Sequence, residues 1–308
     1  FHQTQLPAGG NWFNNEEQHY TNRIDNSFVE NGFLNIVAKR ENFRDQGHTK
    51  QFTSARLNSK FAFTYGRVDV RAKLPFGDGT WPAIWTLGKN INEDGAYWDA
   101  IYGTTNWPLC GEIDVMEHGL GALNHVSAAL HTNCAGCSGN TRNFRSTTLP
   151  DVANNFHIYS MNWSPQQITF LIDDVPFYTY NPAIKDVNTY PFYEDQYLIL
   201  NIAMGGVSGT IDPNFNQSSM VIDYVRVYQN TLGTVSEDEN KANLKVYPNP
   251  ATDTLHIETT QIIDKVALFD LAGKLVFSES EQTNRLDVTK LKPGLYIVKI
   301  YSNQIVLN

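Results

Sequence analysis

The chain has 308 residues, of which 41% are hydrophobic and 18% are charged, and its formal net charge is -9. This is the composition of a folded chain long enough for one large β domain plus a small one, or for two ordinary domains. The negative charge argues against nucleic acid or an anionic membrane as a partner, whereas a neutral polysaccharide would be indifferent to it. No apolar run is long enough for a membrane span, and no signal peptide is visible. Because the chain begins at Phe1, we interpret it as a mature or trimmed product.

Short β-patterned runs follow one another through residues 1–229. They alternate in polarity or are rich in β-branched and aromatic residues, and Gly, Pro, Asn and Asp separate them. We predict no helix longer than about two turns, with a short one at residues 151–156. The fold class is therefore all-β, with a large antiparallel β-sandwich of jelly-roll type. The predicted strands are FLNIVAKR, SARLNSKFAFTYGRVDVRAKL, HIYSMNWS, QITFLIDDVPFYTY, QYLILNIAM and MVIDYVRVYQ.

The run GEIDVMEHG places three carboxylates in one short apolar segment. Glu112 and Asp114 share a face of a strand, whereas Glu117 faces the other side unless a β-bulge near Val115 or Met116 turns it back. A solvated acidic face is the simpler explanation of the spacing alone. A row of acids over one groove is the arrangement that breaks glycosidic bonds, with one carboxyl as nucleophile and another as general acid/base.

Aromatic residues surround this run in the sequence. Trp81, Ala83 and Trp85 lie on one face of a predicted strand, which suits either stacking on sugar rings or a tryptophan pair in the core. Trp98 and Trp107 add further rings close to the acids in sequence.

Two polar residues and the cysteines have alternative interpretations. His131 could reach the acids or be a structural histidine, and Arg56 could contact a groove or be a surface charge. Cys134 and Cys137 suggest a small loop disulfide or two free thiols rather than a metal site, and Cys110 suggests a buried apolar residue.

The character of the chain changes after Tyr228. All six tryptophans and 33 of the 38 aromatic residues lie before this point. Residues 230–243 are polar and predict a linker, and residues 244–308 predict a second, small β-sandwich. This second unit has no acid cluster, so we expect no chemistry from it.

The segments GRVDVRAKLPFGDGTWPAIWTLG, CGEIDVMEHG, SAALHT, FHIYSMNWS, YLILNIAMGG and IDYVRVYQ together resemble glycoside hydrolase family sixteen, in order over nearly all of residues 1–229. The extra residue before the last Glu resembles the bulged branch of laminarinases. The resemblance implies a concanavalin-like jelly roll with a polysaccharide cleft and a retaining mechanism. Glu112 matches the nucleophile, Glu117 the acid/base and Asp114 the carboxylate between them. The residues that match cleft positions are Asn14, Arg56, Trp81, Trp85, Trp107 and His131.

The same resemblance implies no cofactor for catalysis but a possible structural Ca2+. Asp223 and the carbonyl of Gly32 match two calcium ligands, and oxygen ligands suit this ion. A further ligand usually comes from the first strand of the fold. Phe1 falls after that strand, which is a departure from the pattern.

Residues 244–308, with YPNPATD, FDLAGKLV and LKPGLYIVKI, resemble the sorting domain of the type IX secretion system, cut short at Ile305–Asn308. This resemblance implies a protein that is secreted or held on the outer cell surface.

Together these features predict a secreted, monomeric, retaining endo-β-1,3-glucanase. A mixed-linkage β-1,3-1,4-glucanase and a non-catalytic glucan-binding lectin are the alternatives, and a galactan substrate is less favoured.

Overall fold

A computed structural model describes residues 1–121, 124–133, 142–229, 245–259, 262–270, 275–280, 284–302 and 305–307. The chain divides into two compact units, Phe1–Gln229 and Asn230–Asn308. The boundary predicted from the aromatic content falls at the same position. The predicted linker 230–243 and the pair Cys134 and Cys137 lie outside the described residues.

The described part of the first unit contains fifteen strands. They are β1 (Gln18–Tyr20), β2 (Ser27–Glu30), β3 (Phe33–Asp45), β4 (His48–Ser54), β5 (Arg56–Phe63), β6 (Gly66–Lys73), β7 (Thr80–Gly88), β8 (Glu112–His118), β9 (His125–His131), β10 (Arg142–Thr148), β11 (His157–Trp163), β12 (Ile168–Ile172), β13 (Val175–Tyr180), β14 (Gln196–Met204) and β15 (Gln217–Tyr228).

Two sheets are formed from these strands. One has nine strands in the order β1-β4-β3-β15-β6-β11-β12-β13, with β2 paired to β3. The other has six in the order β10-β9-β8-β7-β14-β5. The predicted all-β sandwich is thus confirmed. The pairing is not wholly antiparallel, however, because β1 and β4 run parallel.

Apolar side chains from both sheets share one core. The six-stranded sheet contributes Ile84 and Ile113, and the nine-stranded sheet contributes Val70 and Met161, all fully buried. Strand alternation then sends every second residue of β7, β8 and β14 to the opposite face of the six-stranded sheet. That face carries the candidate site.

The predicted helix at residues 151–156 is wrong. The segment is a turn, in which the N–H groups of Asn154 and Asn155 both donate to the carbonyl of Asp151. Asp and Asn favour such turns, and β11 begins directly afterwards at His157. Helical structure in the first unit is limited to α1 (Asp99–Tyr102) and the 3-10 turns Phe13–Asn15 and Gly206–Ser208 among the described residues.

The second unit has its own core. Its strands are β16 (Lys245–Tyr247), β17 (Thr254–Glu258), β18 (Lys265–Phe269), β19 (Leu275–Glu279), β20 (Arg285–Asp287), β21 (Ile297–Ser302) and β22 (Ile305–Leu307). They form sheets of three and four strands around buried residues such as Leu255, Val266 and Leu286. Within the described ranges, no helix has the length and apolar character needed to cross a membrane.

Candidate active site

The predicted β-bulge is present in β8. Met116 pairs with Ile84 on β7, but the next pair joins Asp114 to Trp85, so Val115 has no partner on β7. Val115 and Met116 are both buried in the core between the sheets. The extra residue therefore returns Glu117 to the strand face that carries Glu112 and Asp114, which confirms the bulge predicted from the sequence.

Because of the bulge, Glu112, Asp114 and Glu117 all line one cleft on the six-stranded sheet. The cleft has a volume of about 620 Å³, which is in the usual range for a ligand site. The cleft is also lined by residues from other segments of the first unit, among them Asn14, Glu16, Tyr20, Arg56, Trp81, Trp85, Glu93, Trp107, His131 and Asn201.

Each glutamate accepts a hydrogen bond from one indole. Trp81 Nε1 donates to Glu117 Oε1 over 3.0 Å, and Trp107 Nε1 donates to Glu112 Oε2 over 2.9 Å. The alternative that Trp81 and Trp85 form a pair in the core is wrong, since both are half-buried and line the cleft. Both rings therefore form part of the cleft wall.

His131 lies beside two of the carboxylates. Its Nε2 is 3.5 Å from Glu112 Oε1 and 3.4 Å from Asp114 Oδ2. Burial by itself lowers the pKa of His131, but contact with Asp114 and the nearby charges of Glu112 and Glu117 raise it to about 9. The ring is thus cationic near neutral pH and offsets part of the negative charge.

Burial is the main reason that both glutamates bind protons strongly. Desolvation, followed by the charge of Asp114, raises the pKa of Glu117 to about 8. The same two causes raise the pKa of Glu112 to about 7, against the charge of His131 and the Trp107 hydrogen bond. Both carboxyls therefore hold their protons to higher pH than a glutamate in water.

Arg56 is a buried residue of the cleft, so the alternative of a surface charge is wrong. Its side chain pairs with Glu93, with Nη2 and Oε1 3.1 Å apart, and both side chains are less than 10% exposed. The guanidinium lies 4.9 Å from the ring centre of Trp85 and 5.5 Å from that of Trp12. These contacts fix its orientation.

Asn14 lines the cleft as expected, from a turn in which it adopts a φ of 56°. Trp98 does not line the cleft, because it packs against Tyr97 and Tyr102 instead. The cleft residues that were not predicted from the sequence include Glu16, Tyr20, Glu93 and Asn201, which come from three separate segments of the chain. Glu16 and Tyr20 are an even number of residues apart, which is the one local signal that they share a face.

One of the two expected calcium ligands already has a partner. Asp223 is paired with Arg71, with Oδ2 and Nη1 2.5 Å apart, so a calcium ion would have to compete with a guanidinium. Gly32 lies in the turn between β2 and β3 with a φ of 84°. Calcium therefore stays a prediction from the sequence.

Within the described part of the chain, the one cluster of side chains spaced to hold a metal ion is Glu112, Asp114 and His131, whose ligand atoms lie within 4.8 Å of one another. These are groups of the acid row itself. Cys110 is buried as expected, and burial raises the pKa of its thiol to about 12, so it stays protonated.

The jelly-roll sandwich and its carboxylate-lined cleft define a carbohydrate-active protein, and the comparisons with known proteins specify its family. Residues 14–226 match the model of glycosyl hydrolases family 16, and residues 245–307 match that of the secretion system C-terminal sorting domain. The chain belongs to glycosyl hydrolases family 16.

Several relatives are similar over the first unit. A beta-glucanase of Rhodothermus marinus is 37% identical over 233 residues, covering 72% of this chain and 77% of that protein. The glucan endo-1,3-beta-glucosidase A1 of Niallia circulans is 38% identical over 241 residues, which is 72% of this chain but 33% of that longer protein. A crystal structure of LamA from Zobellia galactanivorans, in complex with laminaritriose and laminaritetraose, is 45% identical with a TM-score of 0.69, covering 74% of this chain and 91% of that one.

The sorting domain indicates where the protein is located. A chain with this domain is a secreted or cell-surface protein. This agrees with the expectation from the sequence.

Proposed function

We propose that the protein is a retaining endo-β-1,3-glucanase that cleaves laminarin-like glucan outside the cell. The observation that carries the proposal is the row of Glu112, Asp114 and Glu117 on one face of β8, each glutamate held by an indole N–H. A lectin would bind glucan with the tryptophans alone and would have no need of three clustered acids, two of them buried, which cost stability.

In the proposed reaction the carboxylate of Glu112 attacks the anomeric carbon. The bond from that carbon to the glycosidic oxygen breaks, and Glu117 gives its proton to the departing oxygen. In the second step Glu117 takes a proton from water, which attacks the same carbon and releases Glu112. Two inversions leave the configuration of the sugar retained.

The surroundings of the two glutamates support these roles. The nucleophile must be ionised and the acid must hold its proton at the same pH. Burial and the charge of Asp114 raise the pKa of Glu117, which keeps its proton available, whereas the charge of His131 and the Trp107 hydrogen bond favour the ionised form of Glu112. The charge of Asp114 opposes the ionisation of both glutamates.

The names of the relatives support the choice of β-1,3-glucan, since they include a glucan endo-1,3-beta-glucosidase and a structure with laminari-oligosaccharides. The tryptophans of the cleft suit the apolar faces of glucosyl rings. In this proposal the sorting domain directs export through the type IX secretion machinery, and the enzyme acts as a monomer.

Replacing the nucleophile tests the proposal. We expect Glu112→Ser to lower kcat on laminarin by about 10³-fold or more, because no covalent intermediate can form. Reducing ends released from laminarin measure the rate. Glu194→Gln, at an exposed acid outside the cleft, is the control and retains the wild-type rate.

Three outcomes would contradict parts of the proposal. Binding of laminarin by the wild type without turnover favours the lectin. Faster release of reducing ends from lichenan than from laminarin favours the mixed-linkage alternative. Normal activity of Glu112→Ser rejects the role of that residue.

A further inference from the structure

Lys89 is a cation held between two aromatic rings and a carboxylate. Its Nζ lies 4.1 Å from the ring centre of Tyr102 and 5.1 Å from that of Trp98, and it donates to Asp195 Oδ2 over 3.1 Å. We call these four residues the Lys89 cage. The Lys89 side chain is only 21% exposed, so the cation is largely shielded from water, which strengthens its contact with the rings. The cage lies outside the lining of the cleft.

One half of the Lys89 cage belongs to the six-stranded sheet. Lys89 follows Gly88, the last residue of β7, and its backbone N–H donates to the carbonyl of Asp195 over 2.7 Å. Asp195 directly precedes β14, and its Oδ1 accepts from the Thr64 hydroxyl over 2.7 Å. Both oxygens of the Asp195 carboxylate therefore have a protein donor, and the position of the Lys89 ammonium is fixed relative to β7 and β14.

The other half of the Lys89 cage belongs to the loop of residues 89–111, which connects β7 to β8. Trp98 directly precedes α1 and Tyr102 ends it, and the two rings meet edge to face with their centres 5.8 Å apart. One cation thus contacts a ring from each end of α1. This contact ties the middle of the loop to its beginning at Lys89.

The returning part of the loop is paired with the outgoing part. The N–H groups of Thr104 and Thr105 both donate to the carbonyl of Asn90, and the N–H of Asn92 donates to the carbonyl of Thr105 over 2.9 Å. Asn90 directly follows Lys89, and Thr104 comes two residues after Tyr102. The cage therefore holds both sides of this pairing, which ends two residues before Trp107.

The position of Trp107 depends on this loop. The residue is 46% exposed, so packing alone does not fix its ring. Its Nε1 nevertheless donates to Glu112 Oε2 over 2.9 Å, and its ring centre lies 5.4 Å from that of His131. The backbone of the loop must therefore aim the indole N–H at the carboxylate.

We propose that Lys89 is a positioning residue for the nucleophile: its cation holds the 89–111 loop in the arrangement in which the Trp107 indole donates to Glu112. This inference rests on the proposed glucanase function. Lys89 itself is remote from the reacting atoms. It lies two residues beyond Leu87, the partner of Glu112 on β7, which is roughly 7 Å along the strand.

Lys89→Met in the full chain tests the role of the cation. Methionine keeps an unbranched apolar side chain beside the two rings but removes the charge. With the loop held less firmly, fewer molecules form the Trp107 hydrogen bond, and the charged form of Glu112 is favoured less. We expect the acidic limb of the kcat/KM profile on laminarin to move up by about half a pH unit, which is about a threefold loss on the acidic side. The basic limb stays in place.

Two further variants separate this role from a general loss of stability. Lys89→Arg keeps a cation that can stack on the rings and pair with Asp195, and we expect it to restore the wild-type profile. Lys73→Met is the matched control, because Lys73 Nζ also lies over a ring, 5.7 Å from the centre of Phe156, but on β6 of the nine-stranded sheet. We expect it to leave both limbs unchanged.

The proposal is overturned if the acidic limb of Lys89→Met stays at its wild-type pH, whether or not Tm falls, since the cage is then only structural. The same shift in Lys89→Arg would reject the role of the charge. The same shift in Lys73→Met would show that the effect is not specific to the cage.

Failure of the proposed function gives a different result. If the wild type releases no reducing ends from laminarin, the glucanase proposal fails, and NMR of the indole N–H groups still tests the role of Lys89. The Trp107 signal is assigned by its loss in Trp107→Phe, and we expect it to shift with pH as Glu112 ionises. A shift at least twofold smaller in Lys89→Met supports the positioning role, and an unchanged shift rejects it.

Discussion

Of the two proposed catalytic glutamates, Glu117 is buried and Glu112 is half-buried, and each is held by one tryptophan N–H. A donor to a carboxylate stabilises its charged form and so lowers its pKa. Trp107 therefore helps Glu112 to ionise, which the proposed nucleophile needs, whereas Trp81 acts against the protonated form of Glu117. The same kind of contact has opposite consequences for the two roles.

Trp107→Phe tests this effect on the nucleophile. Loss of the N–H raises the pKa of Glu112, so the acidic limb of the kcat/KM profile moves from about 7 to higher pH. We expect a shift of about half a pH unit to one unit. A profile with unchanged limbs and a lower rate at every pH would show that Trp107 only stacks on the sugar.

Trp81→Phe is the matched variant on the acid/base side. Removal of its N–H raises the pKa of Glu117, so here the basic limb near 8 moves to higher pH and the active range becomes wider. Movement of the basic limb to lower pH would contradict the assignment of Glu117 as the acid.

At the scale of elements, the pairing of β7 with β8 decides whether the acids form a row. The bulge at Val115 shifts the register by one residue and keeps Glu117 on the cleft face. Immediately after β8, Gly119 adopts a φ of 91°, and a Cβ there would lie 2.1 Å from the carbonyl oxygen of Thr80 on β7. This close approach holds the end of β8 against the start of β7.

Gly119→Ala tests this approach. Both a strained φ and a clash with backbone oppose the added methyl group, so we expect a loss of about 3 kcal/mol or more in the free energy of unfolding. Gly121→Ala is the control, because its φ is 116° but nothing lies within 4 Å of its Cβ position. It should lose only about 1–2 kcal/mol from strain. Urea unfolding measures both, and equal losses would contradict the role of the Thr80 contact.

The sequence predicts some elements better than others for a physical reason. Period-two alternation identified β15, in which every second residue of the first half is buried. In contrast, β14 is buried at every position, and its apolar and aromatic content identified it. The turn at residues 151–154 was mistaken for a helix because its polar residues favour helix starts and turns alike. The parallel pair β1–β4 was not foreseen, since a three-residue strand has too little pattern to show its partner.

At the scale of the whole molecule, each unit has a separate hydrophobic core. The acid row and the tryptophans of the cleft both belong to Phe1–Gln229. The second unit contributes no residue to the cleft among those described. Its proposed task is export rather than chemistry.

Truncation after Gln229 tests this division. We expect the fragment 1–229 to unfold cooperatively and to keep the kcat and KM of the full chain on laminarin within about twofold, because its core is complete. Differential scanning calorimetry and the reducing-end assay measure these properties. A fragment that is folded but at least tenfold less active would show that the second unit takes part in the reaction.

The sequence alone determined the β fold, the change of unit after Tyr228 and the three acids with their bulge, because period-two patterns and composition are local properties of a chain. Only the tertiary structure decided which distant residues meet in the cleft. Glu16, Glu93 and Asn201 come from separate segments, and no local pattern connects them. The ion pair that buries Arg56 and the indole hydrogen bonds to the two glutamates depend on strand register across the whole sheet.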